Sequence, residues 1–216
     1  QRGVQARLRL VQGRWREAEQ DALAVLEAGD IPLGRVWSHL VLGLLAARRA
    51  APAENPHLDE LWRLATRLES PGVLASAAAA LAEQAWITRR PDPRLDDAAV
   101  PVDLPGPSGD QLRRWLRRLA EAGVQHVDAP AAAAAPTFEQ PYERALALWD
   151  NGSVDDLQAA LPLLDELDAR AVAALVRGRL RELGVSVPRG ISPATRANPG
   201  GLTDRQLDVL ALLVDG

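Results

Sequence analysis

The chain has 216 residues and a formal net charge of −4; it is 47% apolar but only 4% aromatic, and it contains neither Cys nor Met. The absence of Cys excludes a disulfide framework, a thiolate zinc site and a cysteine nucleophile. All 25 basic residues are Arg, so no lysine is present for a Walker A phosphate loop or a Schiff base.

The Leu- and Ala-rich composition favours helix, and the apolar periodicity divides the chain into helical segments. Residues 2–12 and 14–28 read as an antiparallel pair: Val4, Leu8 and Val11 form the inward stripe of the first, and Trp15, Ala18, Ala22, Val25 and Leu26 that of the second. Gly13 permits the turn between them, and Gly13-x-Trp15-x-x-Ala18-x-x-x-Ala22 resembles the turn and second helix of a tetratricopeptide unit. A helix at 33–49 carries Val36, Trp37, Leu40, Leu44 and Leu45, and its hairpin partner at 57–69 carries Leu58, Leu61, Trp62, Ala65 and Leu68. An Ala-rich helix at 73–88 suits a crowded central position, because small side chains let backbones approach. The repetition of helix, short break and helix is the pattern of a solenoid.

Pro91, Pro93, Pro101, Pro105 and Pro107 then predict a long loop, mobile or shortened relative to relatives, with at most a short helix near 94–99. Helix resumes at 109–122, while the Ala-rich stretch at 123–138 breaks the array. Further helices are expected at 139–150, at 154–167 after a Ser153 cap and with a kink at Pro162, and at 169–183 before Gly184. From Val185 to Gly201 three prolines predict an extended linker. Thr203 and Gln206 form a capping-box pattern, and Leu207, Leu210, Leu213 and Val214 recur at helical spacing behind it. The six Trp, at 15, 37, 62, 86, 115 and 149, read as one large anchor per helical unit.

Charge is unevenly spread. Glu139 to Asp168 holds eight acidic residues and one Arg, whereas Arg177 to Arg205 holds six Arg against two acidic residues. Arg113, Arg114, Arg117 and Arg118 share one side of their helix, giving either a partner-binding face for an acidic surface or phosphate, or a solvated face paired with acidic neighbours such as the 139–168 segment. No catalytic motif emerges: His39, His57 and His126 are scattered, no Gly-x-Ser-x-Gly elbow or Gly-rich phosphate loop occurs, and no cofactor, metal or enzymatic activity is expected in this chain. No apolar run approaches the roughly 20 residues of a membrane span. The expected setting is therefore the cytoplasm, with no membrane partner.

Leu202-Thr203-x-Arg205-x-x-x-Val209-Leu210-x-Leu212-Leu213-x-x-Gly216, preceded by Val187-Pro188-Arg189-Gly190 and Ala194-Thr195-Arg196-Ala197-Asn198-Pro199, resembles the opening helix of a LuxR-type helix-turn-helix domain and its linker. In that family an ATP-binding module lies upstream of tetratricopeptide-like helix pairs, and the DNA-binding domain comes last. The resemblance implies an all-α chain: a helical-repeat solenoid at 1–184, a Pro-rich linker at 185–201, and at 202–216 the first helix of a truncated helix-turn-helix domain. It implies a sensing or protein-interaction region, with a protein or small-molecule effector on the repeat surface and ATP bound only in an upstream module. DNA would be bound only through the full-length protein, with Arg189, Arg196 and Arg205 contacting phosphates, because base readout needs a second helix. The alternative is a stand-alone helical-repeat adaptor that binds a peptide or protein.

Overall fold

A computed structural model describes residues 2–29, 32–125 and 140–186, together with Leu210. Among them lie helices α1 (Arg2–Val11), α2 (Trp15–Glu27), α3 (Pro32–Ala50), α4 (Pro56–Arg67), α5 (Pro71–Thr88), α6 (Pro107–Glu121), α7 (Pro141–Asn151), α8 (Val154–Glu166) and α9 (Arg170–Glu182), with a 3-10 turn at Pro93–Asp96. The described residues contain no strand, so the architecture is all-α.

The prolines that break the sequence pattern act as helix starters. α4, α5, α6 and α7 each have Pro in the first turn, where the missing N–H would have had no helical partner. Asn55 caps α4 by accepting from the Leu58 N–H, and its amide donates to Gly43 O on α3 at 2.9 Å. Ser153 Oγ accepts from the Asp156 N–H at 3.1 Å, capping α8, which continues without interruption through Pro162.

α1 with α2, α3 with α4, α5 with α6 and α7 with α8 pack as consecutive hairpins. α5 is buried on nearly every side, and its run of Ala75, Ala77, Ala78, Ala79 and Ala80 allows neighbouring helices to approach closely. Its one large aromatic, Trp86, is buried against Trp115 of α6 (ring centroids 5.7 Å apart) and meets Trp149 of α7 edge-on at 5.3 Å. Trp15, Trp86 and Trp115 are buried anchors, whereas Trp37, Trp62 and Trp149 are half-buried.

The first helix turns the opposite face inward from the one its large side chains predict. Val4, Leu8 and Val11 are exposed, and Gly3, Ala6 and Leu10 are buried. The cause is close packing on α3: a Cβ added at Gly3 would lie 2.7 Å from the carbonyl oxygen of Gly34, so only the small-residue face fits.

In an open solenoid each pair touches only its neighbours. Here α9 packs on α3, and Leu167 and Pro141 crowd Gly13, whose φ of +82° makes the α1–α2 turn. Trp15 of α2 meets Tyr142 of α7 at 5.6 Å. The α7–α9 segment therefore closes back over the first hairpins, and a polar centre is enclosed between them.

The Pro-rich loop before α6 is packed rather than mobile, and its one short helical turn is at Pro93–Asp96, near the expected 94–99. Leu95 and Val100 are buried, Gln125 accepts from the Asp92 N–H and donates to Asp92 O, and Arg113 donates to Val102 O and Leu104 O. Buried apolar anchors and side chains that satisfy loop carbonyls replace regular structure there. Residues 126–139, most of the linker from 187, and residues 202–216 apart from Leu210 lie outside the described residues, and Leu210 is in helical backbone with its side chain half exposed.

Candidate functional site

The polar centre is built on Arg48 and Glu83, which are 4% and 0% exposed. Arg48, near the end of α3, donates from Nε to Glu83 Oε1 at 2.6 Å and from Nη2 to Oε2 at 3.0 Å. Glu83 Oε1 also accepts from the Tyr142 hydroxyl at 2.6 Å. The guanidinium lies over the Tyr142 ring, 3.9 Å from its centroid, with the Trp15 ring at 5.5 Å. Burial disfavours the Arg48 charge, but Glu83 outweighs it and the net effect holds the guanidinium protonated. Burial, reinforced by Glu83, raises the Tyr142 hydroxyl well above its usual range, so it stays a donor. A bidentate, charge-assisted pair with a third donor is the arrangement that makes a buried ion pair tolerable.

Arg48, Glu83 and Tyr142 also line a small recess that opens to solvent. Its apolar walls include Leu10 of α1, Leu40 and Leu44 of α3 and Ala80 of α5. Arg7 of α1, Gln111 of α6, Gln140 just before α7 and Glu143 of α7 are among its polar lining residues. The Arg7 guanidinium lies over the Trp37 ring, 4.5 Å from its centroid, and burial lowers its pKa. Burial raises the Glu143 carboxyl above the ordinary range, although Arg118, Arg48 and Arg114 pull the other way. Among the described residues neither Arg7 nor Glu143 has an ion pair or side-chain hydrogen bond. Unpaired charge is costly in a desolvated site.

A larger, shallower groove of about 1070 Å³ lies between Trp86, Trp149, Arg89 and the Leu175–Gly178 side of α9. Two of its arginines are already committed, Arg118 to Asp150 and Arg179 to Glu182.

The arginine cluster predicted as a partner-binding face is not an exposed face. Arg113, Arg114 and Arg118 are buried, and only Arg117 is exposed, 3.7 Å from Glu121. Arg113 pairs with Asp110 and serves the loop carbonyls. Arg118 grips Asp150 through two bonds of 2.9 and 2.7 Å and lies over Trp115. Asp150 belongs to the acidic 139–168 segment, so the intramolecular alternative describes Arg118, and the reason is the inward turn of α6 onto α7. Arg189, Arg196 and Arg205 lie outside the described residues.

Sequence reasoning missed two pairings. Arg48, Glu83 and Tyr142 are far apart in the chain; the only local signal is a charged residue within an apolar helix face. His39 of α3 and His57 of α4, 18 residues apart, bring their Nδ1 atoms within 3.1 Å. One ring must donate and the other accept, so the two rings cannot both be protonated at this contact, and burial lowers both pKa values, that of His39 further through His57. Among the described residues no three His, Asp or Glu side chains converge as a metal site, and no helix is long and apolar enough to cross a membrane.

No protein-family model, curated protein or solved structure matches the chain.

Proposed function

We propose that this chain is the sensing region of a DNA-binding transcriptional regulator, which takes a small effector in the Arg48–Glu83 recess and relays its occupancy to a C-terminal helix-turn-helix output domain. The observation that carries the reading is the recess itself. Its walls come from α1, α3, α5, α6 and α7, so a ligand there touches both the first hairpins and the α7–α9 segment that leads into the linker. A ligand that bears differently on two arrangements of those elements shifts their balance. The LuxR-type resemblance of residues 202–216 supplies the output, and the excess of Arg over acidic residues from Arg177 to Arg205 suits the approach to phosphate.

The test is a gel-shift at about 150 mM salt, where non-specific phosphate binding is weakened. It compares residues 1–216 with the same reading frame extended to include further helices, on DNA from upstream of its own gene. Specific retention by the extended chain alone is the expected result. Specific retention by residues 1–216, or none by the extended chain, overturns the reading.

A further inference from the structure

The groove beside α9 shares no lining residue with the Arg48–Glu83 recess. Its cavity proper measures about 530 Å³, the rest of the groove being open to solvent. Small-molecule sites typically occupy about 300–1,000 Å³. Trp149 of α7, Leu175 and Ala174 of α9, and Ala122 just after α6 give it an apolar lining. The half-buried Trp149 meets the buried Trp86 edge-on, 5.3 Å between ring centroids, a contact that steadies its indole at the groove. At Gly178, inside α9, an added Cβ would meet nothing within 4 Å. Glycine weakens a helix interior, and no close neighbour requires it here. What its missing side chain leaves is groove.

The charges around the groove are paired except one. Arg118 is bonded to Asp150 at 2.9 and 2.7 Å, Arg179 to Glu182 at 3.1 Å, and Glu121 lies 3.7 Å from Arg117. The side chain of Arg89, the C-cap residue of α5, has no ion pair or hydrogen bond among the described residues. Its guanidinium lies over the Trp86 ring, 5.5 Å from the centroid, and burial lowers its pKa despite the attraction of Glu182. A guanidinium partly stripped of water beside an aromatic wall is a donor for a planar anion. The anion it suits carries a single charge, because Glu121 and Glu182 line the same groove and repel a second.

We propose that the groove binds an apolar monocarboxylate of medium chain length, its carboxylate on Arg89 and its hydrocarbon body along Trp149, Leu175 and the gap at Gly178. Only one charged contact is required, so a flexible body demands no fixed distance between that contact and the apolar wall. The site goes beyond the regulatory reading and does not depend on it.

The test is isothermal titration of the folded chain with octanoate at millimolar concentration. Alongside it run octanamide, which keeps the body and loses the charge, butyrate, which keeps the charge and loses most of the body, and octyl phosphate, which carries additional charge. Octanoate is expected to bind, and octanamide to bind about fivefold or more weakly, the loss of one charge-assisted contact. Butyrate and octyl phosphate should both be weaker than octanoate. Arg89→Gln should level octanoate with octanamide. Gly178→Leu, whose side chain enters open space on a helix it strengthens, should remove binding of both, with circular dichroism showing both variants folded. Octanoate bound no better than octanamide, unchanged binding in Gly178→Leu, or no binding of octanoate overturns the proposal, and tighter binding of octyl phosphate overturns the choice of carboxylate. None of these outcomes touches DNA retention by the extended chain, on which the regulatory reading stands or falls.

Discussion

Glu83→Gln is the sharpest perturbation of the polar centre. It preserves shape but removes the charge that neutralises Arg48, whose side chain is 5% exposed and bonded to Glu83 at 2.6 and 3.0 Å. Breaking a buried pair by removing one partner costs about 3–5 kcal/mol, because the remaining charge is left uncompensated. For a chain of this size that loss lowers Tm by roughly 6–20 °C. It is a large part of the about 5–15 kcal/mol by which native domains are stable. Thermal unfolding followed by circular dichroism measures it. The double variant Arg48→Met, Glu83→Leu removes both charges and should recover most of the loss. Should Glu83→Gln fall within about 1 kcal/mol of the wild type, a typical surface-pair value, the pair is solvated and the recess has no buried polar floor.

Tyr142→Phe deletes the 2.6 Å donor to Glu83 and should cost about 1–3 kcal/mol in urea unfolding. Gly109→Ala should destabilise by about 1–3 kcal/mol or more, because the new Cβ would lie 1.8 Å from Leu104 O; a neutral Tm would contradict the loop packing. The His39 and His57 pKa values are lowered in the folded chain, so their contribution is present above the unfolded value of about 6.5 and is lost as pH falls through the folded values. Tm should therefore drop on acidification below about pH 6.5, and the double variant His39→Gln, His57→Gln should flatten that slope, with Glu60, Arg35 and Arg63 as the neighbouring charges. Glu143 has the opposite sign: its raised folded value means stability is lost as pH rises through it. Glu143→Gln, which cannot ionise, should therefore raise Tm at pH 7.5.

The helices were legible because their signals are local. Prolines 56, 71, 107 and 141 mark first turns, and Ser153 caps α8, so boundaries follow from residues close in sequence. The inward face of α1 was not legible. Val4, Leu8, Val11 and Gly3, Ala6, Leu10 are both helical stripes, and the choice between them is made by the close approach of Gly3 to Gly34. The site was legible even less. Arg48, Glu83 and Tyr142 meet only because α7–α9 folds back, which no repeat periodicity encodes. The arginines of α6 show the same limit: four charges on one side read as a surface until the acidic partner on α7 is brought against them.

In the proposed regulator, occupancy of the recess is communicated to DNA binding. Its most direct measurement is DNA retention by the extended reading frame, with and without a low-molecular-weight extract of the source cells, in the wild type and in Gln111→Trp, which adds bulk at a half-buried residue lining the recess. The prediction is a shift in the wild-type binding midpoint of about fivefold or more, the usual size of a coupling between sites, and no shift in Gln111→Trp. An equal response in both proteins, or none in the wild type, would contradict the claim.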